Sequence, residues 1–370
     1  MSTTVPVPDA GTVQLLTPEG ERVEHPEFSF TGDDAQIAGF LRDMVIARRI
    51  DTEATAMQRQ GELGLWASMT GQEAAQVGSA RAARPHDYVV PSYRELAVAW
   101  CRDLDPVAIT AVFRGVDLGS WAGNAGNFHP YTMVVGSQSL HAVGYAMGIS
   151  ADGATATGDA DADEAVLAYF GDGATSQGDV NEALLFSASY QAPVVFVCQN
   201  NQWAISVPTT RQTRIPIARR ADGFGFPGIR VDGNDVLAMY AVTSWALDRA
   251  RSGAGPALIE AFTYRMGAHT TSDDPTKYRL AAELESWKLK DPLERVRAYL
   301  RRSGAVDQSF FDEVSAEADD VAADLRARTL ALPDPTLKES FDLVYAEKTQ
   351  HLVDQQTDYQ AYADSFGEDD

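Results

Sequence analysis

Residues 165–206 constrain the fold most strongly, because their pattern predicts a strand, a helix and a second strand in succession. Residues 165–170 form an unbroken apolar run, which is typical of a strand buried on both faces of a parallel sheet. Asp179 and Glu182 have the spacing of a capping box at the start of a helix. A second apolar run follows at 194–198. A strand-helix-strand unit of this kind places its two strands parallel in one sheet.

Glycine and polar residues follow both predicted strands. Gly171, Asp172 and Gly173 come after the first strand, and Asn200 and Asn201 come after the second. Because the carboxyl ends of parallel strands meet at one edge of the sheet, these groups should face one crevice. Oxygen ligands of this type suit a magnesium ion that also takes oxygens from a diphosphate, and glycine lets phosphates approach the backbone. The glycine spacing fits neither a dinucleotide fingerprint nor a P-loop, so a nicotinamide-binding fold is not expected.

These motifs resemble those of a known family, the alpha subunits of the decarboxylating component of 2-oxo acid dehydrogenase complexes, which use thiamine diphosphate. The resemblance covers about residues 32–304 and is strongest with bacterial pyruvate dehydrogenase alpha subunits. It implies an α/β thiamine diphosphate-binding fold, with a mostly parallel sheet and helices on both faces. It also implies that Asp172, the Asn201 side chain and the backbone carbonyl of Trp203 bind magnesium. Relatives usually have Tyr at position 203, an exchange that a carbonyl ligand tolerates.

Further stretches match the cofactor site of that family. Tyr93 and Arg94 follow an apolar run at 89–90, and the Arg side chain is well shaped to grip a phosphate. A Tyr-Arg pair is more often a surface feature, but by resemblance this one contacts the diphosphate. Val135 matches an aliphatic residue that supports the bent conformation of the cofactor, and its alternative is an ordinary core valine. The resemblance implies ten cofactor-binding residues: Tyr93, Arg94, Val135, Gly171, Asp172, Gly173, Ala174, Asn201, Trp203 and His269.

Two histidines are candidate catalytic residues. His269 follows a predicted buried strand, and the family has a catalytic histidine at this place in a mobile loop. His129 lies in the Gly- and Asn-rich loop at 114–130, where relatives place a histidine-bearing loop over the active site, although the local spacing differs. Mitochondrial relatives carry a regulatory phosphoserine directly after the histidine that matches His269. Thr270 stands there in this chain, so phosphorylation at Thr270 or Ser272 is left open.

Three other features keep structural interpretations. Gln72 and Glu73 are interpreted as residues of a first helical turn, stabilised by the helix dipole. His141 is interpreted as a structural residue of a helix packed through small side chains. The basic cluster at 211–220 is either a solvated face or a patch that meets an acidic partner or a phosphate.

Composition limits the partners and the compartment. The formal charge of −23 argues against nucleic acids and anionic membrane surfaces as partners. The first residues do not have the pattern of a secretory signal, and no apolar run is long enough to span a bilayer. Two cysteines, Cys101 and Cys198, are too few for a disulfide framework, which favours a reducing cytoplasm. We expect an N-terminal arm at 1–32, a cofactor domain at 33–304 and a helical extension at 305–370.

The resemblance also implies an activity and partners. Thiamine diphosphate and magnesium would serve the oxidative decarboxylation of a 2-oxo acid, and the acyl group would pass to a lipoyl group on the acyltransferase of the complex. Relatives activate the cofactor with a glutamate from a second domain, but this chain is long enough for one such domain only. We therefore expect a beta subunit that supplies the glutamate, in an assembly of two alpha and two beta chains. Pyruvate is favoured as substrate and 3-methyl-2-oxobutanoate is the alternative. An acetoin dehydrogenase alpha subunit or a non-catalytic nucleotide-binding scaffold are more remote alternatives.

Overall fold

The computed structural model describes four ranges of the chain: 11–117, 119, 126–342 and 344–366. Residues 1–10 of the predicted arm, part of the predicted loop at 114–130 and the acidic end at 367–370 lie outside them. The strands within these ranges are β1 (Thr12–Val13), β2 (Tyr88–Val90), β3 (Val166–Gly171), β4 (Val194–Asn200), β5 (Trp203–Ala204), β6 (Val207–Pro208), β7 (Gly228–Asp232) and β8 (Ala257–Phe262). The α-helices within these ranges are α1 (Asp34–Arg59), α2 (Glu73–Ala82), α3 (Leu96–Cys101), α4 (Pro106–Arg114), α5 (Gln138–Ala151), α6 (Gly178–Ser189), α7 (Thr209–Gln212), α8 (Val236–Arg251), α9 (Ala281–Lys288), α10 (Pro292–Ser303), α11 (Gln308–Leu330), α12 (Leu337–Asp342) and α13 (Gln350–Asp364).

Six strands form one sheet in the order β1-β7-β8-β4-β3-β2, and all of its neighbouring pairs are parallel. The strands β3 and β4 lie side by side, with Gly171 opposite Gln199. The strands β5 and β6 form a short antiparallel hairpin outside this sheet. The predicted α/β fold with a mostly parallel sheet is confirmed.

Alternate residues of β3 pack against opposite faces of the sheet. Leu167 and Tyr169 belong to the larger core cluster, which also contains apolar residues of α1, α2 and α8. Val166, Ala168 and Phe170 belong to a second cluster, which contains apolar residues of α5 and α6. Helices therefore cover both faces of the sheet. This arrangement explains why the sequence of β3 is apolar throughout rather than alternating.

The helix after β3 begins differently from the prediction. A 3-10 helix occupies Asp172–Ser176, and Gln177 is then the N-cap of α6 in an extended conformation. Asp179 consequently lies in the first turn of α6 instead of at its cap, so the predicted capping box is wrong. A carboxylate in the first turn still interacts favourably with the helix dipole.

The described part of the N-terminal arm is attached to the edge of the sheet. The strand β1 pairs with β7, and the backbone N–H groups of Leu15 and Leu16 both donate to the Asp235 carboxylate at 2.6 Å. The same carboxylate caps α8 by accepting from the backbone of Leu237 and Ala238. Asp235 thus ties the arm to the start of a core helix.

The helical C-terminal region packs on the rest of the chain through α11. This helix pairs with α1 through the ion pairs Arg49–Asp319 and Arg326–Glu53. None of the helices in the described ranges has the length and apolar content needed to cross a bilayer. The domain boundaries at 32 and 304 stay predictions.

Candidate active site

A cavity of about 230 Å³ opens at the carboxyl edge of the sheet, where β2, β3 and β4 end. The ten residues predicted to bind the cofactor all line it: Tyr93, Arg94, Val135, Gly171, Asp172, Gly173, Ala174, Asn201, Trp203 and His269. These residues come from separate stretches of the sequence. The parallel sheet brings them together because the chain leaves each strand at this edge.

Asp172 lies at the first residue after β3 and is only 1% exposed. Its Oδ2 atom accepts hydrogen bonds from Thr209 Oγ1 at 2.7 Å and from Gln212 Nε2 at 3.0 Å. Burial raises the pKa of this carboxyl group, and the two hydrogen bonds oppose that rise. A bound cation would oppose it further, since positive charge stabilises the ionised form.

Asn201 and Trp203 follow β4 in a tight turn. Asn201 Nδ2 donates to Gln72 Oε1 at 3.0 Å, which fixes the orientation of the amide and leaves its oxygen with one long contact, 3.3 Å, to the backbone nitrogen of Trp203. The carbonyl oxygen of Trp203 accepts from Arg265 Nη1 at 2.9 Å. A carbonyl oxygen has two lone pairs, so one remains for a further ligand.

Within the described ranges, no group of three or more His, Cys, Asp or Glu side chains could hold a metal ion. The predicted magnesium site is of another kind, because it offers one carboxylate, one amide oxygen and one backbone carbonyl. Magnesium usually binds proteins through one or two carboxylates and completes its octahedral shell with phosphate oxygens and water. The donor set of Asp172, Asn201 and Trp203 therefore fits a magnesium ion that is shared with a diphosphate.

The glycines of the turn have different surroundings. A Cβ atom at Gly171 would have no other atom within 4 Å, so the cavity is open at this point of its wall. A Cβ atom at Gly173 would lie 2.8 Å from the Cβ of Ala204 in the β5-β6 hairpin. Gly173 therefore allows the hairpin to pack closely on the turn, whereas Gly171 leaves room for a ligand.

Arg94 is 6% exposed and connects two walls of the cavity. Its guanidinium donates to the carbonyl oxygens of Ser68 and His269 and lies 5.4 Å from the centre of the Tyr93 ring. The backbone N–H of Arg94 donates to the buried carboxylate of Glu95. These contacts hold a guanidinium cation beside the cavity, and guanidinium groups are well suited to bind phosphate oxygens.

His269 is held by its backbone and by Arg94. Its backbone N–H donates to Asp273 Oδ2 at 2.8 Å, and its Nδ1 atom lies 3.3 Å from Arg94 Nη2. Burial, followed by the charges of Arg94 and Arg265, lowers the pKa of the imidazole to about 4. His269 is therefore neutral at pH 7. Because Arg94 can only donate, Nδ1 must accept, and the ring proton lies on Nε2.

A hydrogen-bond path joins the loop of His269 to the turn of Trp203. Arg265 donates to the carbonyl oxygens of Trp203 and Ile205 and to the Tyr278 hydroxyl group. Tyr278 in turn donates to Asp273, which also accepts from the backbone of His269. The predicted metal ligands and the predicted catalytic histidine thus belong to one polar network.

His129 lies in a different cavity, of about 460 Å³, beside Tyr88, His141 and Tyr145. Its Nδ1 atom is 3.0 Å from the Tyr88 hydroxyl group, and burial lowers the pKa of the imidazole. The structure does not bring the two predicted catalytic histidines together. His141 packs beside His129, with 6.3 Å between the ring centres.

Other residues that line the cavity were absent from the predicted site, and Gln72, Glu95, Gln138 and Gln199 are among them. Glu95 is fully buried and accepts from the Gln199 side chain, and burial raises its pKa. Among the described residues, the buried Oε1 atom of Gln138 has no hydrogen-bond partner. Gln72 is the N-cap of α2 rather than a residue of its first turn, and its side chain orients Asn201. Glu95 directly follows Tyr93 and Arg94, and Gln138 lies three residues after Val135. This proximity to predicted cofactor residues is the signal in the sequence that points to Glu95 and Gln138.

The basic cluster at 211–220 is partly used within the chain. Arg219 pairs with Asp222, and Arg220 donates to the carbonyl oxygen of Thr175 behind the glycine turn. These two side chains therefore have intramolecular partners.

Comparisons with known proteins agree on one family. The family model described as "Dehydrogenase E1 component" matches residues 41–335. The chain is 44% identical over 354 residues to the 3-methyl-2-oxobutanoate dehydrogenase subunit alpha of Mycobacterium tuberculosis, covering 95% of this chain and 94% of the relative. It is 40% identical over 324 residues to the pyruvate dehydrogenase E1 component subunit alpha of Acholeplasma laidlawii, covering 86% and 91%. It is 36% identical over 352 residues to the pyruvate dehydrogenase E1 component subunit alpha of Staphylococcus aureus, covering 93% of this chain and 91% of the relative.

Proposed function

The chain belongs to the dehydrogenase E1 component family, and from this premise we propose that it is the alpha subunit of a thiamine diphosphate-dependent 2-oxo acid dehydrogenase. The enzyme decarboxylates a 2-oxo acid oxidatively and transfers the acyl group to a lipoyl group on the acyltransferase of its complex. The observation that carries this proposal is the convergence of ten predicted cofactor residues on one cavity.

The identity values favour a branched-chain substrate. The relative at 44% identity is a 3-methyl-2-oxobutanoate dehydrogenase subunit, whereas the pyruvate dehydrogenase relatives named above are 36–40% identical. We therefore put 3-methyl-2-oxobutanoate first and pyruvate second, which reverses the order suggested by the motifs alone. Steady-state kinetics with both acids decide between them, and a higher kcat/KM for pyruvate would contradict this order.

The residues of the cavity have separate tasks in the proposed reaction. Bound thiamine diphosphate supplies the carbanion chemistry of decarboxylation. Asp172, Asn201 and the Trp203 carbonyl would hold magnesium, and Arg94 would hold the diphosphate. Val135, 42% exposed on the cavity wall, would support the bent cofactor.

His269 would act as a hydrogen-bond donor in this site. Its imidazole is neutral and carries its proton on Nε2, so it can donate to an oxygen or sulfur atom of the substrate or the lipoyl group without adding charge. Measuring decarboxylation and reductive acylation separately in His269→Ala tests this role. Unchanged rates of both reactions would exclude it.

A beta subunit would complete the site, in an assembly of two alpha and two beta chains. Large apolar side chains are exposed at and beside the cavity, with Val134 at 69% and Ile205 at 54%. The carboxylates that line the cavity, Asp172 and Glu95, both accept hydrogen bonds from within the chain. The glutamate that activates the cofactor would therefore come from the beta subunit. Full activity of the purified chain as a monomer would contradict this assembly.

The cytoplasm is the proposed compartment. Cys101 and Cys198 are both buried and unpaired, which agrees with reducing conditions.

Calorimetry distinguishes the proposed enzyme from a non-catalytic scaffold. The chain with its beta subunit is titrated with thiamine diphosphate in the presence and in the absence of magnesium. We expect binding to depend on magnesium, because Asp172 and Asn201 would grip the diphosphate only through the cation. Binding that is indifferent to magnesium would favour the scaffold.

A further inference from the structure

One short segment of the chain delivers both the predicted metal ligands that follow β4 and two side chains that contact Asp172. Asn201 and Trp203 lie at its start. The β5-β6 hairpin then turns back, and the backbone N–H of Thr209 donates to the carbonyl oxygen of Gln202 at 3.0 Å. This return places α7 against the 3-10 helix that begins with Asp172. The sequence between the ligands and α7 therefore serves to bring a second group of side chains to the turn.

Thr209 and Gln212 of α7 both donate to the same carboxylate oxygen. Thr209 Oγ1 lies 2.7 Å and Gln212 Nε2 lies 3.0 Å from Asp172 Oδ2. Two donors on one oxygen fix the rotation of the carboxylate about the Cβ–Cγ bond of Asp172. With Oδ2 directed toward α7, the Oδ1 atom is directed away from it.

The distances indicate where the proton of Thr209 lies. The hydroxyl group has one proton and two acceptors within reach, Asp172 Oδ2 at 2.7 Å and Asn200 Oδ1 at 3.1 Å. The shorter bond, to a group that carries charge when ionised, is the stronger one. Asn200 Oδ1 also accepts from the backbone N–H of Gln202 at 3.2 Å, so it keeps a donor when Thr209 turns to Asp172.

Close packing fixes this arrangement. The Cα position of Gly173 allows the hairpin to lie against the turn, since a Cβ atom there would be 2.8 Å from the Cβ of Ala204. Ser176 Oγ donates to Gln212 Oε1 at 3.1 Å, which orients the Gln212 amide with its nitrogen toward Asp172. Gln212 is thus held by Ser176, and Thr209 is held by its backbone hydrogen bond to Gln202.

We propose that Thr209 and Gln212 are positioning residues that set the affinity of the site for its divalent cation by holding Asp172 with Oδ1 presented to the metal. This inference rests on the proposed function. It adds a requirement that is separate from diphosphate binding, because neither side chain is among those that line the cofactor cavity. Loss of either donor should therefore weaken cation binding directly, and diphosphate binding only through the cation.

The experiment measures Mn²⁺ binding by electron paramagnetic resonance, with the full-length chain purified together with its beta subunit and the same excess of thiamine diphosphate present throughout. Thr209→Val keeps the shape of the side chain and removes the donor. Thr209→Ser keeps the donor, and Thr210→Val makes the same change at the next, exposed position. Gln212→Leu tests the second donor. Thermal unfolding without metal and cofactor checks that each variant is folded.

We expect Thr209→Val and Gln212→Leu to bind Mn²⁺ roughly tenfold or more weakly, the effect of losing a hydrogen bond to a charged group. Thr209→Ser and Thr210→Val should bind it as tightly as the unsubstituted chain, and every variant should remain folded at the temperature of the binding assay. Equal Mn²⁺ affinity of Thr209→Val and the unsubstituted chain would overturn the positioning role alone. Absence of Mn²⁺ binding by the unsubstituted chain would overturn the proposed function as well.

Discussion

Replacing Asp51 by alanine should destabilise the chain and disturb the candidate active site, although Asp51 does not line the cavity. Asp51 lies on α1 and is 1% exposed. Three side chains donate to its carboxylate: Trp66 Nε1 at 2.6 Å, Ser68 Oγ at 2.7 Å and Thr70 Oγ1 at 2.8 Å. A single buried carboxylate thus organises the whole segment at 66–70.

The loss in the free energy of unfolding depends on whether the three donors find other acceptors. The hydroxyl groups of Ser68 and Thr70 already lie 3.0 Å apart, so they can pair with each other in Asp51→Ala. The indole N–H of Trp66 has a fixed direction and would lose its acceptor, and an unsatisfied buried donor costs about 1–3 kcal/mol. The void left by the carboxylate adds to this cost, whereas removing a buried charge lowers it. Together we expect a loss of about 2–3 kcal/mol in the free energy of unfolding. Asp51→Asn, which keeps an acceptor for Trp66, should lose about half as much.

Urea denaturation followed by tryptophan fluorescence measures these losses. The matched control is Asp319→Ala, since Asp319 pairs with Arg49 at the surface and its loss should cost less than about 1 kcal/mol. A loss below about 1 kcal/mol in Asp51→Ala would refute this reasoning, because an orphaned buried donor alone should cost at least that much.

The same substitution should also weaken cofactor binding. The carbonyl oxygen of Ser68 accepts from Arg94, and Trp66 exchanges two hydrogen bonds with Thr271 in the loop of His269. Loosening the segment at 66–70 therefore loosens two walls of the cavity. Calorimetry with thiamine diphosphate should report weaker binding in Asp51→Ala and unchanged binding in Asp319→Ala.

Three further predictions concern the cavity. The imidazole of His269 should titrate with a pKa near 4 by NMR, and a pKa near 6.5 would contradict its burial beside Arg94. Because the pKa in the folded chain lies below the unfolded value, the folded chain should lose stability as the pH falls from about 6.5 toward 4. Gly173→Ala should lower the thermal unfolding midpoint because its Cβ meets that of Ala204, whereas Gly171→Ala should leave the midpoint unchanged and impair cofactor binding; equal midpoints for the two variants would contradict this packing. Arg94→Lys should weaken thiamine diphosphate binding roughly tenfold in calorimetry, because lysine cannot reproduce the planar set of donors, and an unchanged Kd would count against a diphosphate contact.

The parts of the site that lie at strand ends were predictable from the sequence. Apolar runs locate β3 and β4, and parallel strands share one ligand edge, so these runs alone are enough to place Asp172 and Asn201 together. His269 was placed by the same argument at the end of β8. The fold and these positions follow from local patterns and one topological rule.

The supporting contacts could not be predicted in that way. Thr209 reaches Asp172 across 37 residues, and Gln199 reaches Glu95 across 104 residues, so no local spacing reveals either pair. The capping box failed because a 3-10 helix took the residues after β3 and moved the cap to Gln177. Hydrogen bonds between distant side chains depend on packing, which single-sequence patterns do not encode.

The central claim is that a carboxylate and a carboxamide from neighbouring parallel strands hold a divalent cation against a diphosphate. Crystals of the chain with its beta subunit, grown with thiamine diphosphate and Mn²⁺, test it most directly through the anomalous scattering of the metal. The account predicts one peak at bonding distance from Asp172 Oδ1, Asn201 Oδ1 and the Trp203 carbonyl oxygen, with diphosphate oxygens completing the shell. A bound cofactor with no metal peak between Asp172 and Asn201 would contradict it.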